Sequence, residues 1–431
     1  MVFEDEIKKR LNGKRLLLLG GGLWKDVIQK IAQEYNITLI ATGNNPSSGI
    51  FQIADEVYTV NSTDSNEMKK LIFEKKIDGV YMGGSEIVIS SACKYLNELE
   101  LPCYCTKEQW ETLQDKSNFK ALCIKHGLPV VEKFDRDQLD MNNFSEYPVI
   151  TKPTDGCGSS GFSLCHNLKE LKSGYKKAKE SSPKGSVIIE RFVKNEGVVV
   201  FYTVSNGKLY FSGIEDKYPV RYDRWGSYVG GLFVFESKLA SEFCSKFEDK
   251  ISSMILDVGI KEGSFWIEVF YDGKNYYFNE VGYRYGGSAS IYPVDYMHGI
   301  NQVAVDIYYA LTGKSNLNGF VPIISNDVPK KKKYAVYPVY ASAGIISYIH
   351  GIDELENHDQ IVKIILHKTV GDTVLDTGTF SQVVALVHFV FNDESELISL
   401  IDKLHDKIKI LDQYGKNMTF RMLNTKNFKL K

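Results

Sequence analysis

From Arg15 to about residue 100 the chain alternates short apolar runs with amphipathic stretches, and this constrains the fold more than any other feature. Arg15–Leu19 is an apolar run that stops at Gly20-Gly21-Gly22. A helical spacing of Trp24, Val27, Ile28, Ile31 and Ala32 follows, then a second strand, Ile37–Ala41. Val57–Val60, Gly79–Tyr81 and Leu101–Tyr104 read as further strands, with helices over Asn66–Lys75 and Ile87–Leu99. Alternating strands and helices build a parallel sheet covered on both faces. The glycine triplet is not a dinucleotide fingerprint. Lys25 stands where the third glycine of G-x-G-x-x-G belongs, and Ala41-Thr42-Gly43 offers no acid for a ribose. A tight turn at the first strand–helix junction is the expectation.

The pattern changes near Trp110. A helix predicted over Lys116–His126 stops at Gly127-Leu128-Pro129. A strand, Pro148–Lys152, runs into a Gly/Ser segment ending at Gly161, and a strand Ser186–Phe192 follows a second helix. Runs rich in Tyr, Phe and Val come next: Val198–Val204, Lys208–Ile214, Phe265–Tyr271 and Tyr276–Val281. Asn206-Gly207 and Asp272-Gly273 separate pairs of them, which is hairpin chemistry. After Pro329 comes Lys330–Lys333, read as a solvated linker with a phosphate-binding patch as the alternative. Strands at Tyr334–Ile349, Val362–His367 and Ala385–Asn392 and an amphipathic helix at Glu394–Lys409 complete the chain. With 431 residues and roughly 150 per domain, three domains are expected, at 1–110, 111–329 and 330–431.

Fifty-two Lys and Arg against 54 Asp and Glu leave a net charge of −2, which argues against a chain that coats nucleic acid. No apolar run is long enough for a membrane span, and the acidic start, Met1-Val-Phe-Glu-Asp-Glu6, lacks the apolar stretch of a secretory signal. Seven cysteines, an odd number in a long chain, do not suggest a disulfide framework, so a reducing cytoplasm is the default. Cys103-x-Cys105 has no second pair at zinc spacing and reads as two cysteines on one strand face.

Two features carry chemistry. Gly156, Gly158, Ser159, Ser160 and Gly161 follow directly on Lys152; such a loop brings backbone N–H groups up to an anion, or is an ordinary flexible loop. Glu268 and Glu280 lie twelve residues apart on either side of Asp272-Gly273, so a hairpin sets them on neighbouring strands among large apolar residues. Paired buried carboxylates suit a hard cation that also takes phosphate oxygens, whereas a structural pair with Arg284 is the alternative. By strand alternation, Asn279 points away from Glu280.

In order, the chain shows Asp115-Lys116, Tyr147-Pro-Val-Ile-Thr-Lys152-Pro153, the Gly/Ser loop, Ile188-Ile-Glu190-Arg-Phe-Val193, Glu196, Glu268, and Glu280-x-x-x-Arg284-x-Gly286-Gly287. This series resembles the ATP-grasp superfamily, which includes biotin carboxylase, the carbamoyl phosphate synthetase large chain and D-alanine–D-alanine ligase. The resemblance covers roughly residues 10–320, and 330–431 looks like the small end domain of the amino-acid ligases. It implies an α/β and α+β architecture: an N-terminal Rossmann-like domain, a central two-lobed ATP-grasp domain and a small C-terminal α+β domain.

The resemblance also implies roles. Lys116 and Lys152 look like the lysines that hold the ATP phosphates, and Gly158, Ser159, Ser160 and Gly161 like the loop folding over them. Glu190, Phe192 and Val193 look like the hinge that meets adenine, Glu190 accepting from the amino group and the Val193 backbone bonding the ring. Glu196 looks like the ribose ligand, and Ile150 and Phe270 like the walls around the base. Glu268 and Glu280 look like ligands of one or two Mg²⁺, with Mn²⁺ as an alternative, and Arg284 like the catalytic cation at the transferring phosphoryl group. Gly282 stands where many members carry a further Asn ligand. The implied activity is an ATP-dependent ligase that turns a carboxylate into an acyl phosphate and joins it to an amine, releasing ADP and phosphate. A bicarbonate-using enzyme and a non-catalytic ATP-binding protein are the rival readings. Small-molecule carboxylate and amine partners are implied, without nucleic acid or membrane, and a homodimer is one assembly open to the chain. Glu86, Arg221, Arg224 and His298 are weaker candidates for substrate contact, each with an ordinary structural alternative. Cys157, inside the loop, reads as a small residue.

Overall fold

The computed structural model describes residues 2–45, 48–134, 144–155, 161–194, 196–222, 227–324, 333–420 and 423–431. Near the N-terminus, β1 (Arg15–Leu18), β2 (Thr38–Thr42), β3 (Glu56–Tyr58) and β4 (Gly79–Tyr81) form a parallel sheet in the order β3-β2-β1-β4. Leu16, Leu17 and Leu18 are fully buried because helices cover both faces. The turns after β1 and β4 touch: a Cβ on Gly83, at φ +73°, would lie 2.6 Å from the Gly20 Cα. The helix Glu86–Glu98 starts just beyond that contact, which aims Glu86 outward from the strand ends. Residues 101–104, expected as a strand, pair with no sheet. Their side chains serve another contact: Tyr283 Oη donates to the Tyr104 carbonyl at 2.8 Å, and Tyr104 Oη returns a bond to the Tyr283 carbonyl at 3.3 Å.

A second sheet is small and antiparallel: β5 (Lys133–Phe134), β6 (Val149–Pro153), β7 (Ser163–Cys165) and β8 (Val187–Arg191), in the order β5-β8-β6-β7. The helix Leu168–Ser181 packs closely on it, at Gly174, where a Cβ would lie 2.7 Å from Thr151 Oγ1. The helix Lys116–Lys125 is capped by Asp115, whose carboxylate accepts from the Ser117 and Asn118 amides.

The largest sheet begins with β9 (Gly197–Ser205), β10 (Lys208–Tyr222), β11 (Ser227–Phe235), β12 (Gly263–Tyr271) and β13 (Tyr276–Gly282). Asn206 and Gly207, at φ 53° and 71°, make the left-handed turn of the β9–β10 hairpin, as their sequence led us to expect. Period-two alternation decides what each side chain meets. On β9, Val198, Val200 and Tyr202 join the core shared with Phe243 and Phe247 of the helix Ala240–Val258. Val199 and Phe201 face the other way, toward the cavity described below and the helix Ile291–His298.

The C-terminal stretch contributes β14 (Lys333–Ala341), β15 (Gly344–His350), β16 (Ile361–Leu366), β17 (Thr373–Val374), β18 (Val383–Phe391), β19 (Lys409–Asp412) and β20 (Thr419–Phe420). The strand expected over Tyr334–Ile349 is two, broken at Ser342, whose amide turns to the Met418 carbonyl at 2.9 Å. Strand β14 pairs with β11 and with β18, so the large sheet runs β13-β12-β9-β10-β11-β14-β18-β16 with β20 beside β14. Strands β17-β15-β19 form a separate small sheet. Among the described residues, no helix is long and apolar enough to cross a membrane.

Candidate active site

The small sheet, the large sheet, residues 84–87 and residues 379–380 line an open cavity of about 610 Å³. Its most telling feature is a chain of paired polar side chains, most of which line it. Lys120 pairs with Glu190, and Glu190 pairs with Lys152 at 3.0 Å. Lys152 Nζ donates to Asn279 Oδ1 at 2.9 Å, Asn279 Nδ2 donates to Glu268 Oε2 at 2.5 Å, and Glu268 pairs with Lys217. This series ties the small sheet to the large one. Burial opposes ionisation of Glu190, but Lys152 and Lys120 overcome it and hold the carboxyl below its ordinary range. Glu268 behaves alike: burial pushes it up, and Lys217 with the Asn279 amide pulls it down further. Burial and the neighbouring Lys152 bring Lys120 down to about 8.

Asn279 does not point away from Glu280, as plain alternation would have it. Glu268 pairs with Glu280, but the next residue, Val269, pairs with Phe278. The register shift is a bulge that leaves Asn279 unpaired and turns both Asn279 and Glu280 into the cavity. Glu280 is the more open of the acids, its side chain 33% exposed and 3.5 Å from Lys116 Nζ. Among the described residues no three His, Cys, Asp or Glu side chains are grouped to hold a metal by themselves. Two carboxylates and an amide oxygen nevertheless match Mg²⁺, which takes one or two carboxylates and fills its octahedron with phosphate oxygens and water.

Gly282 is accounted for by packing. A Cβ there would lie 2.3 Å from Trp266 Cε2, so the indole fills the place of a side chain at 282. The Arg284 guanidinium lies over the same ring, 5.4 Å from its centroid. Arg284 Nη2 and Nε bind Glu86 Oε1 at 2.6 and 3.1 Å, and Nη1 donates to the Tyr285 carbonyl at 2.8 Å. Glu86 is therefore the residue that orients Arg284, and both line the cavity.

The expected site residues fall into three groups. Lys116, Ile150, Lys152, Glu190, Phe192, Val193, Glu268, Phe270, Glu280, Arg284 and Glu86 all line the cavity. The Glu190 carboxylate is fully buried between Lys120 and Lys152. Glu196, Gly161, Arg221 and His298 are not among the lining residues. Glu196 is paired with Lys194, and Arg221 is exposed near the end of β10. His298 sits beyond the cavity against Phe211 and Gly213, its Nε2 3.6 Å from Glu236, and burial lowers its pKa. Gly158, Ser159, Ser160 and Arg224, with Cys157 and Lys330–Lys332, lie outside the described residues. Lys120, Lys217, Glu215 and Trp266 escaped the sequence reading. Only Lys120 carried a signal, four residues after Lys116 and so on the same helix face.

Residues 115–202 match the model of the carbamoyl-phosphate synthase L chain, ATP binding domain. A formate-dependent phosphoribosylglycinamide formyltransferase from Proteus mirabilis is 23% identical over 282 residues, 63% of this chain and 68% of that one. In structure, an L-amino acid ligase from Bacillus licheniformis aligns over 93% of this chain and 99% of its own, with a TM-score of 0.71 and 18% identity. The biotin carboxylase domain of the Hydrogenobacter thermophilus 2-oxoglutarate carboxylase, in complex with MgADP and bicarbonate, aligns over 94% and 91%, with a TM-score of 0.73 and 16% identity. The fold is thus that of the ATP-grasp proteins. The matched segment, the relatives and the structural neighbours are of the kind the sequence resemblance implied, proteins of the ATP-grasp fold that include ligases.

Proposed function

We propose that the chain is an ATP-dependent carboxylate–amine ligase. The observation that carries this reading is that the lysines, the paired acids and an oriented arginine all face one cavity of about 610 Å³. ATP is seated with its phosphates toward Lys116 and Lys152 and its base between Ile150 and Phe270. Glu268, Glu280 and Asn279 would hold Mg²⁺, which would supply positive charge against the phosphates. Arg284, fixed by Glu86, stands where charge grows on the transferring phosphoryl group.

A carboxylate resists an amine because oxide is a poor leaving group. Phosphorylation replaces it with phosphate: the carboxylate oxygen bonds to the γ-phosphorus as the bond to ADP breaks. The amine nitrogen then bonds to the acyl carbon, the carbon–oxygen bond to phosphate breaks, and the nitrogen's surplus proton leaves with the phosphate. Acyl phosphates hydrolyse, so keeping water from the cavity during the reaction would favour the sequence.

The test is a hydroxamate assay: protein, ATP, Mg²⁺, hydroxylamine as trap, and a panel of amino acids and small carboxylic acids. ATP-dependent hydroxamate with one class of acid supports the ligase. ADP release with bicarbonate alone moves the assignment to a carboxylating enzyme. Nucleotide binding with no turnover on any acid leaves a non-catalytic ATP-binding protein.

A further inference from the structure

One ionisable side chain in the cavity has no part in the chemistry above. Glu215 lies on β10, two residues before Lys217 and on the same face. Its backbone pairs with Val199, and Val199 pairs on its other side with Glu268. Glu215 is thus two strands from Glu268, roughly 10 Å away at about 4.8 Å per strand. It is 2% exposed, and the hydrogen bond it accepts among the described residues is a long one, 3.4 Å from Ser288 Oγ. Asp216, on the opposite face, has its own partner in Ser237 at 2.7 Å. The Lys217 ammonium is committed to Glu268, and the Arg284 guanidinium to Glu86. Burial pushes the Glu215 carboxyl well above its ordinary range, although Ser288 and Lys217 oppose it. A buried carboxyl with one long hydrogen bond is costly, and such a group facing a cavity is a binding group in search of a donor.

The surroundings define that donor. Phe201, Phe233, Val229 and Trp266 give this end of the cavity apolar walls. Arg284 offers a place for an anion, whereas the Glu215 carboxyl offers an acceptor for a donor. A cation with a polar head and an apolar body fits both the carboxyl and the walls. An ammonium brings three donors, enough for both Glu215 oxygens and the Ser288 hydroxyl. Resting on the ligase reading of this same cavity, we propose that Glu215 seats the ammonium group of the second substrate, a primary amine with an apolar body, with Ser288 as its second contact, and that the carboxylate takes one ammonium proton so that the neutral nitrogen can attack.

The test is calorimetric titration of phenethylammonium chloride, and of its neutral counterpart 2-phenylethanol, into protein saturated with Mg²⁺ and a non-hydrolysable ATP analogue. Wild type should prefer the ammonium by about tenfold or more, the scale of a charge-assisted hydrogen bond. Glu215→Gln should erase that preference and leave the weak binding of the alcohol unchanged. Unaltered binding of the ATP analogue shows that the variant is folded; should it fail to fold, the preference measured on wild type decides alone. Absence of that preference in wild type, or its persistence in Glu215→Gln, overturns the proposal. Failure of the protein to bind the ATP analogue at all would instead sink the ligase reading.

Discussion

Lys152 on β6 donates to Asn279 on β13 at 2.9 Å, joining the small sheet to the large one through their side chains. The bond matters because each partner is committed on its other side, Lys152 to Glu190 and Asn279 to Glu268. The floor of the cavity is therefore one continuous network rather than a set of separate pairs. In such networks a substitution at one member is felt by the rest.

Lys152→Met should weaken ATP binding by about tenfold or more, because it removes a point charge from the phosphate end of the cavity. Glu190 keeps Lys120, so the variant should fold, with a stability loss of roughly 1–3 kcal/mol from the hydrogen bonds given up. Calorimetric ATP titration and denaturant melts read the two effects. Wild-type affinity in the variant would remove Lys152 from the nucleotide site.

Glu280→Gln should raise the Mg²⁺ concentration needed for half-maximal turnover and leave the fold intact. An amide oxygen is a weaker ligand for a hard cation, and the Glu280 side chain, a third exposed and 3.5 Å from Lys116, contributes little to the core. A magnesium titration of ADP release compares the two proteins. An unchanged magnesium requirement would make Glu280 a partner of Lys116 only.

How much of this was legible depends on whether the signal is local. Glu268 and Glu280 could be set on adjacent strands because an Asp-Gly turn and two alternating runs lie within one hairpin. The orientation of Asn279 could not, because a bulge reverses alternation and nothing in Phe-Asn-Glu-Val announces it. Lys217 and Glu215 act through strand neighbours whose pairing is set by the whole sheet. Gly282 could be noted as a departure, but its reason, the Trp266 ring across the ladder, is a cross-strand contact. The join between β11 and β14 spans about a hundred residues and has no short-range signature.

Gly282→Asn should destabilise the protein instead of supplying a further metal ligand. The new Cβ would lie 2.3 Å from Trp266 Cε2, so the indole must move, at a cost of about 1–3 kcal/mol for overpacking. Trp266→Ala in the same chain should make room and recover part of the loss. Thermal melts of the single and double variants test this; a single variant as stable as wild type would show that Trp266 does not depend on Gly282.

Asp306 gives the fold a pH dependence of opposite sign to most carboxylates. It is bonded to Tyr285, which reaches Tyr81 at 3.4 Å, which in turn accepts from Trp24 Nε1 at 2.8 Å. Burial raises its pKa from 3.8 to about 7, against the pull of the Tyr285 hydroxyl. Between about pH 4 and 7 the folded state therefore binds the extra proton, so this residue's contribution to stability falls as pH rises and levels off above about pH 7. Asp306→Asn keeps an acceptor for Tyr285 and removes the titration. Denaturant melts at about pH 5 and about pH 7.5 should show a smaller decline in the variant, by roughly 2.5 kcal/mol at most. Equal slopes would mean that Asp306 titrates in its ordinary range.

Arg284 separates the ligase from a protein that only binds ATP. Its guanidinium is fixed on three sides, by Glu86 at 2.6 Å, by the Tyr285 carbonyl at 2.8 Å and by the Trp266 face. A cation held that firmly before the reaction pays little reorganisation when charge develops beside it, and one such donor typically contributes ~10²–10³-fold in rate. Arg284→Lys keeps the charge and loses the planar fork that binds Glu86 through two nitrogens, so kcat should fall by about that factor while ATP affinity changes less than about threefold. Glu86→Gln should fall less far, since Arg284 keeps its other two contacts. The acid identified by the hydroxamate screen supplies the assay, with ATP affinity measured separately by calorimetry. A fall in kcat with preserved nucleotide binding places Arg284 at the reacting phosphoryl group; loss of both together with folded protein makes it a structural counter-ion of Glu86; an unchanged kcat removes it from the chemistry.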